Sequence, residues 1–219
     1  INSKQAMFLL LYSMAIQSAV TVPDTNCPKA LWLERAARCS VSNPVVFVIG
    51  GNKGYDCIGW ARFFSNGSAA PTSKEWSKRL PSDNRGVCGQ GDDDYPLGTQ
   101  QNPTVVCVEP MPENYRALRA ASLGLKRFYV KQAALTLTDQ KYVHFPDGGF
   151  GAEALQISAK QGPKTVLVQA TTVDKLIDHF TTPDILCIDT EGHDALVLLG
   201  AAGALASGKV KYIEFEYHG

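Results

Sequence analysis

The chain has no excess of either charge: 21 lysines and arginines balance 21 aspartates and glutamates over 219 residues. That balance excludes a global field that would gather nucleic acid or anionic lipid, and no basic run supplies a local one. CxxC pairs and Cys/His metal spacings are also absent, so neither a zinc finger nor a thioredoxin-type redox motif is in view. No internal repeat or low-complexity tract competes with a globular reading. What the chain does have is 45% hydrophobic residues, enough to pack the core of one sizeable α/β domain.

Six cysteines (27, 39, 57, 88, 107 and 187) leave the redox setting open. Cys107 and Cys187 sit in apolar, strand-like runs and read as buried small hydrophobes. Cys27, Cys39 and Cys88 lie in looser segments and could pair. The triplet Asn66-Gly67-Ser68 matters only if the protein enters a secretory pathway.

The N-terminus carries no charge from Gln5 to Pro23. Residues 1–25 read as an apolar helix that docks on a membrane or partner complex through residues 6–22, or else packs on the domain. This tilts localisation toward membrane association, in an organelle or the secretory pathway, over a soluble cytoplasmic protein. A second helix, "KALWLERAARCS", follows. Residues 26–219 form the α/β domain.

Within it, "PVVFVI" is a continuous β-branched run, the pattern of a strand buried on both faces. It leads through "GGNKG" into the helix "GYDCIGWARFF". Residues 65–103 are rich in Gly, Pro, Ser and Asp and read as an insertion rather than a core element, with a short helix near "SKEWSKRL". "TVVCVE" is the second strand and "MPENYRALRAASLG" its helix, with Pro112 in the first turn and Gly124 as the stop. "RFYVKQAAL" and "KYVHF" read as strands around a polar turn. Thr171-x-x-Asp174 resembles a capping box opening "TTVDKLIDHF". "DILCID" is the fourth strand of the main alternation, "HDALVLLGAAGAL" one helix, and "VKYIEFEY" the fifth strand. Alternating strands and helices predict a doubly wound, mostly parallel, Rossmann-like α/β sheet.

Ligands of such sheets bind beyond the carboxyl ends of the strands. Three strand ends here carry unusual residues. Gly50, Gly51 and Gly54 let the backbone turn tightly and bring N–H groups toward a ligand at a helix start; Lys53 can point from that loop to solvent. Glu109 ends the next strand, where a carboxylate can take both hydroxyls of a ribose. Asp189, Glu191, His193 and Asp194 crowd the fourth strand end, with His193 able to act as a base near neutral pH.

Taken together, "VIGGNKGYD", "VVCVEPMPENYRALRA", "QAALT", "TTVDKLI", "DILCIDTEGHDALVLLGA" and "YIEFEY" make the chain resemble the FkbM-type branch of class I S-adenosylmethionine-dependent methyltransferases. The resemblance runs from about Pro44 to Tyr217. It implies a seven-stranded core sheet and methyl transfer to an oxygen of a sugar or other small hydroxylated acceptor. By position, Gly50, Gly51, Asn52 and Gly54 would wrap the methionine part of S-adenosylmethionine, Glu109 would bind its ribose, and Asp139 would lie near the adenine. Asp189, Glu191 and His193 would border the methyl-transfer centre as its catalytic residues. Two carboxylates at that strand end do not argue for a metal, and none is assigned.

Two departures shape the alternative reading. The family usually has Asp, sometimes Asn, at the position of Val48, and valine cannot hold the amino-acid end of the cofactor. The chain also stops at Gly219, just after the fifth strand, so the last two strands are expected to be missing and the exposed fifth-strand edge is expected to be open to pairing with another chain. The alternative is therefore a catalytically degenerate domain serving as an accessory subunit of a larger, membrane-bound or organellar complex.

Overall fold

Apolar, β-branched runs produce the central layer. In the computed structural model, β1 (Val45–Ile49) is buried at every position, as are Ile185–Ile188 of β7 and most of Thr104–Glu109 of β2. With β3 (Phe128–Gln132) and β8 (Tyr212–Phe215) they form a parallel five-stranded sheet in the order β3-β2-β1-β7-β8. The structure describes residues 43–67, 70–82, 101–152, 157 and 164–215. The expected N-terminal helix and Cys27, Cys39 and Cys88 lie outside them. The doubly wound parallel reading holds for the five strands described, and β8 forms one edge of the sheet.

Helices cover both faces. On one, α1 (Tyr55–Phe64) buries Ile58, Trp60, Phe63 and Phe64 against Val46, Val48 and Cys187. Beside it lies α3 (Pro112–Ala121), which buries Asn114, Leu118 and Ala121, the i, i+4, i+7 positions of one helical face. On the other face α4 (Val173–Ile177), α5 (Asp194–Leu199) and α6 (Ala202–Ala206) cover Phe47, Ile49 and Ile188.

Several expectations are corrected. The 65–103 stretch is not wholly outside the core: α2 (Ser73–Ser77) buries Trp76 completely. The Trp76 indole N–H donates to the Lys53 carbonyl at 2.7 Å, bracing the loop after β1. "RFYVKQAAL" is not one strand, because the chain breaks after β3 and Ala134–Leu135 becomes β4 of a second sheet. That sheet has the order β4-β6-β5, with β5 (Gln140–Pro146) antiparallel to β6 (Thr165–Thr171), a strand absent from the sequence reading. The helix cap falls one residue later than expected: Thr172 accepts from the Lys175 N–H. Asp174 instead accepts from the Gly203 and Ala204 N–H groups at 2.7 and 2.8 Å and so caps α6. "HDALVLLGAAGAL" is consequently two helices, divided at Gly200, where a Cβ would lie 2.2 Å from the Thr136 carbonyl oxygen.

Cys107 is not a free hydrophobe. It is disulfide-bonded to Cys57 of α1, with Cα atoms 5.9 Å apart across 50 residues of sequence. Cys187 is the buried free thiol among the described residues. A bridge closing a loop of that size restricts the unfolded chain, so replacing both cysteines by serine should cost about 2–4 kcal/mol. Urea unfolding with and without reductant measures it; a wild-type midpoint indifferent to reductant would show that the bridge does not form.

Candidate functional site

The carboxyl ends of β1, β2 and β7 lie side by side because β1 is hydrogen-bonded to both neighbours, with Ile49 in register with Val108 and Ile188. The loop after β1 therefore falls between the other two strand ends. Its close packing demands glycine. Gly50 has φ +89°, and a Cβ there would lie 1.7 Å from the Asp189 carbonyl oxygen. At Gly51 a Cβ would meet the Cys107 sulfur at 2.5 Å. Gly54 also has positive φ, with Leu118 and Trp76 against it.

The loop uses its N–H groups differently from the sequence expectation. Gly50 and Gly51 both donate to the Val108 carbonyl at 2.9 Å, and Gly54 donates to the Gly51 carbonyl. The Asn52 N–H donates to Glu109 Oε2 at 2.7 Å. These four donors are satisfied within the protein, so the loop offers a ligand close backbone approach rather than these N–H groups. Lys53, expected at the surface, is 1% exposed and borders the cleft.

Glu109 is buried at the end of β2 and faces the same cleft. Besides Asn52, it accepts from the Met111 N–H at 2.8 Å through Oε1. The Asn114 amide lies at 3.5 Å from that same oxygen. Burial pushes the Glu109 carboxyl up to about 7, against these hydrogen bonds, which favour the anion.

Across the cleft, the turn after β7 brings Asp189, Glu191 and His193 to the lining. This turn is conformationally demanding: Glu191 has φ +55° and Gly192 φ +91°. Asp194, buried at the start of α5, holds it from behind by accepting from the Thr190 hydroxyl at 3.0 Å and the Gly192 N–H at 3.2 Å. Partial burial lowers the His193 pKa, while neighbouring Asp194 opposes that shift. A neutral imidazole at the cleft wall can accept a proton. The second sheet, through Ala134, Leu135 and Phe145, completes an apolar wall with Met111, which precedes α3, and Ile157.

Of the residues singled out from sequence, Gly50, Gly51, Asn52, Gly54, Glu109, Asp189, Glu191 and His193 all line this one cleft. Asp139 does not: it lies in the exposed turn before β5, apart from the lining residues. Val48 also stays outside the lining, buried between Cys107 and Cys187 in the core beneath α1. Asn114 was missed. Its signal was a polar side chain on the same helical stripe as Leu118 and Ala121, where an apolar residue would be ordinary. Among the described residues, no cluster of His, Cys, Asp or Glu could hold a metal ion, and no helix is long and apolar enough to cross a membrane.

The family model for the FkbM methyltransferase domain matches residues 84–219, more than half of the chain. That match takes in Glu109, Asn114 and the turn after β7; β1 and the glycine loop precede it. No curated protein and no solved structure matches the chain.

The buried carboxyl makes a testable demand on stability. Between the ordinary carboxyl value of 4.5 and about 7, folded Glu109 holds a proton that the unfolded chain has released. The Glu109 contribution therefore destabilises the fold as pH rises through that window, by on the order of 3 kcal/mol in total. Glu109→Gln should remove this fall. Denaturant titrations of both proteins from pH 4 to 8 would show it (roughly the span of the titration), and parallel pH profiles would refute it.

Proposed function

The chain belongs to the FkbM methyltransferase domain family, and from that premise we propose that it binds S-adenosylmethionine in this cleft and methylates a hydroxyl of a sugar or other small hydroxylated acceptor. The observation that carries the reading is the junction of Asn52 with Glu109, 2.7 Å across, which unites the glycine loop with the acid ending the next strand. The residues suit the cofactor. An ionised carboxylate has about four acceptor positions, and the three donors within 3.5 Å of Glu109 leave about one for a ribose hydroxyl. The apolar wall of Met111, Leu135 and Phe145 suits a flat heterocycle.

When bound, S-adenosylmethionine supplies an electrophilic methyl group on a sulfonium. The protein's own work is to hold the acceptor oxygen in line with that methyl and to remove the acceptor's proton. Positioning supplies much of the acceleration in such a displacement. His193, with its pKa lowered by burial, is the base this reading assigns, with Asp189 beside it on the same strand end. Glu191 also lines the cleft, and this reading assigns it to the acceptor's other hydroxyls.

One observation favours a second reading. Val48, buried in the core beneath α1, stands where the resemblance leads one to expect an acid. A domain that had lost turnover would serve as an accessory subunit, recruited through the β8 edge or the N-terminal segment.

Calorimetry with S-adenosylmethionine decides between binding and none. Saturable heat is expected, and neither heat nor a thermal shift at about millimolar ligand would overturn the methyltransferase reading. Glu109→Ala should weaken binding by on the order of 1–3 kcal/mol as hydroxyl partners are lost. Because ribose hydroxyls donate best to the anion, wild-type affinity should rise with pH through about 7, where Glu109 ionises. Affinity that is flat across that range would place the ribose elsewhere.

A further inference from the structure

Asn114 is buried to 1% exposure in the first turn of α3, and both ends of its amide are engaged. Its Nδ2 donates to Asn52 Oδ1 at 3.2 Å and lies 3.5 Å from Glu109 Oε1. Its Oδ1 accepts the Gly151 N–H at 2.8 Å. Asn52 closes the circuit by donating its own N–H to Glu109. Three segments remote in sequence thus meet at one amide: the loop after β1, the end of β2, and the turn through Gly149 and Gly151. Both glycines of that turn have positive φ, 75° and 74°, and the adjoining Ala152 lines the cleft. An amide is suited to this junction because it donates and accepts at once. A carboxylate could only accept, and an aliphatic side chain could do neither.

We propose that Asn114 is a positioning residue that holds the Glu109 carboxylate and the Gly149–Gly151 turn in one arrangement, so that a ligand gripping Glu109 also fixes that wall of the cleft. The identity of that ligand rests on the cofactor reading above, but the coupling rests on the hydrogen bonds alone. Other charged groups share the cleft with Glu109: Lys53 and Asp56 from the loop and α1, and Asp189, Glu191 and His193 from the turn after β7. All are retained when only Asn114 is changed, so a shift in Glu109 titration reports the amide.

The test compares wild type with Asn114→Asp and Asn114→Leu. Glu109 ionisation is followed by NMR of carboxyl-labelled glutamate, Gly151 by amide hydrogen exchange, and ligand affinity by calorimetry with S-adenosylhomocysteine. Both variants lose the donor to Glu109, so its midpoint should rise by about half a pH unit or more, furthest in Asn114→Asp, where a like charge is added. Asn114→Asp keeps the acceptor and should leave Gly151 protected, whereas in Asn114→Leu its exchange should quicken at least about tenfold. Affinity should fall roughly tenfold in Asn114→Leu, with its pH dependence displaced upward. An unmoved Glu109 midpoint in Asn114→Asp overturns the proposal even if the leucine variant does not fold, as does Gly151 protection unchanged in a folded leucine variant. If wild type binds no S-adenosylhomocysteine, the methyltransferase reading fails, while titration and exchange still decide the role of Asn114.

Discussion

A carboxylate at the buried end of a strand must be hydrogen-bonded, protonated, or both, because low-dielectric surroundings penalise an unpaired charge heavily. Glu109 meets this demand with backbone donors from two directions. Met111 donates from the segment that follows β2, and Asn52 from the loop that follows β1. The second bond is the more consequential, since it joins the acid to a segment 57 residues earlier. The conformation of the glycine loop, the first turn of α3 and the position of the Gly149–Gly151 turn all answer to that one buried group. Its raised pKa is the residue of a desolvation penalty that those bonds offset only in part.

The second constraint is steric. Loop and strand ends converge because the backbone at Gly50 approaches the Asp189 carbonyl more closely than any side chain would permit. Behind the loop, the disulfide joins the first turn of α1 to β2, two residues before Glu109, and its Cys107 sulfur fills the space that a larger residue at Gly51 would need. Trp76 braces the loop from outside through the Lys53 carbonyl. A short connection held at so many points can keep Asn52 at φ +42°, a conformation costly for a residue with a side chain. The opposing turn stores a similar strain at Glu191, held by Asp194.

Much of the central architecture was legible in the sequence because fully buried parallel strands announce themselves as unbroken β-branched runs. The three central strands, β1, β2 and β7, and their ends facing the cleft follow from that pattern and from the rule that ligands sit beyond carboxyl ends; the edge strands β3 and β8 are only partly buried and of mixed polarity. The second sheet was not legible. β6 is half exposed, with Leu167 and Gln169 facing outward, although its β-branched run TVLVQAT carries an ordinary strand signal; its place in a second sheet is what the sequence does not show. The Cys57–Cys107 pair was hidden because proximity in a fold is not spacing in a chain. Lys53 was misplaced for the opposite reason: composition says that lysine belongs in water, and tertiary packing overrode it. The role of Asn114 could have been suspected from its apolar stripe, but the partners that explain it come from two other segments.

Val48 brings these threads together. Side chains alternate along β1, so positions 46 and 48 face the α1 side while 47 and 49 face the other helices. An acid at 48 would have to sit among Cys57, Ile58, Cys107 and Cys187, at the cost of desolvating a charge beneath the loop. Valine removes that cost and lets the disulfide and the core beneath α1 close up directly under the glycines. The polar character of the cleft is thereby shifted outward, onto Glu109 at one strand end and Asp189, Glu191 and His193 at another. Among the described residues, Asp56, Asp189 and Glu191 are the acids other than Glu109 that border the cleft and could face a ligand's ammonium group. Valine at this position thus fits the packing of the scaffold and leaves the polar chemistry of the cleft to the strand ends.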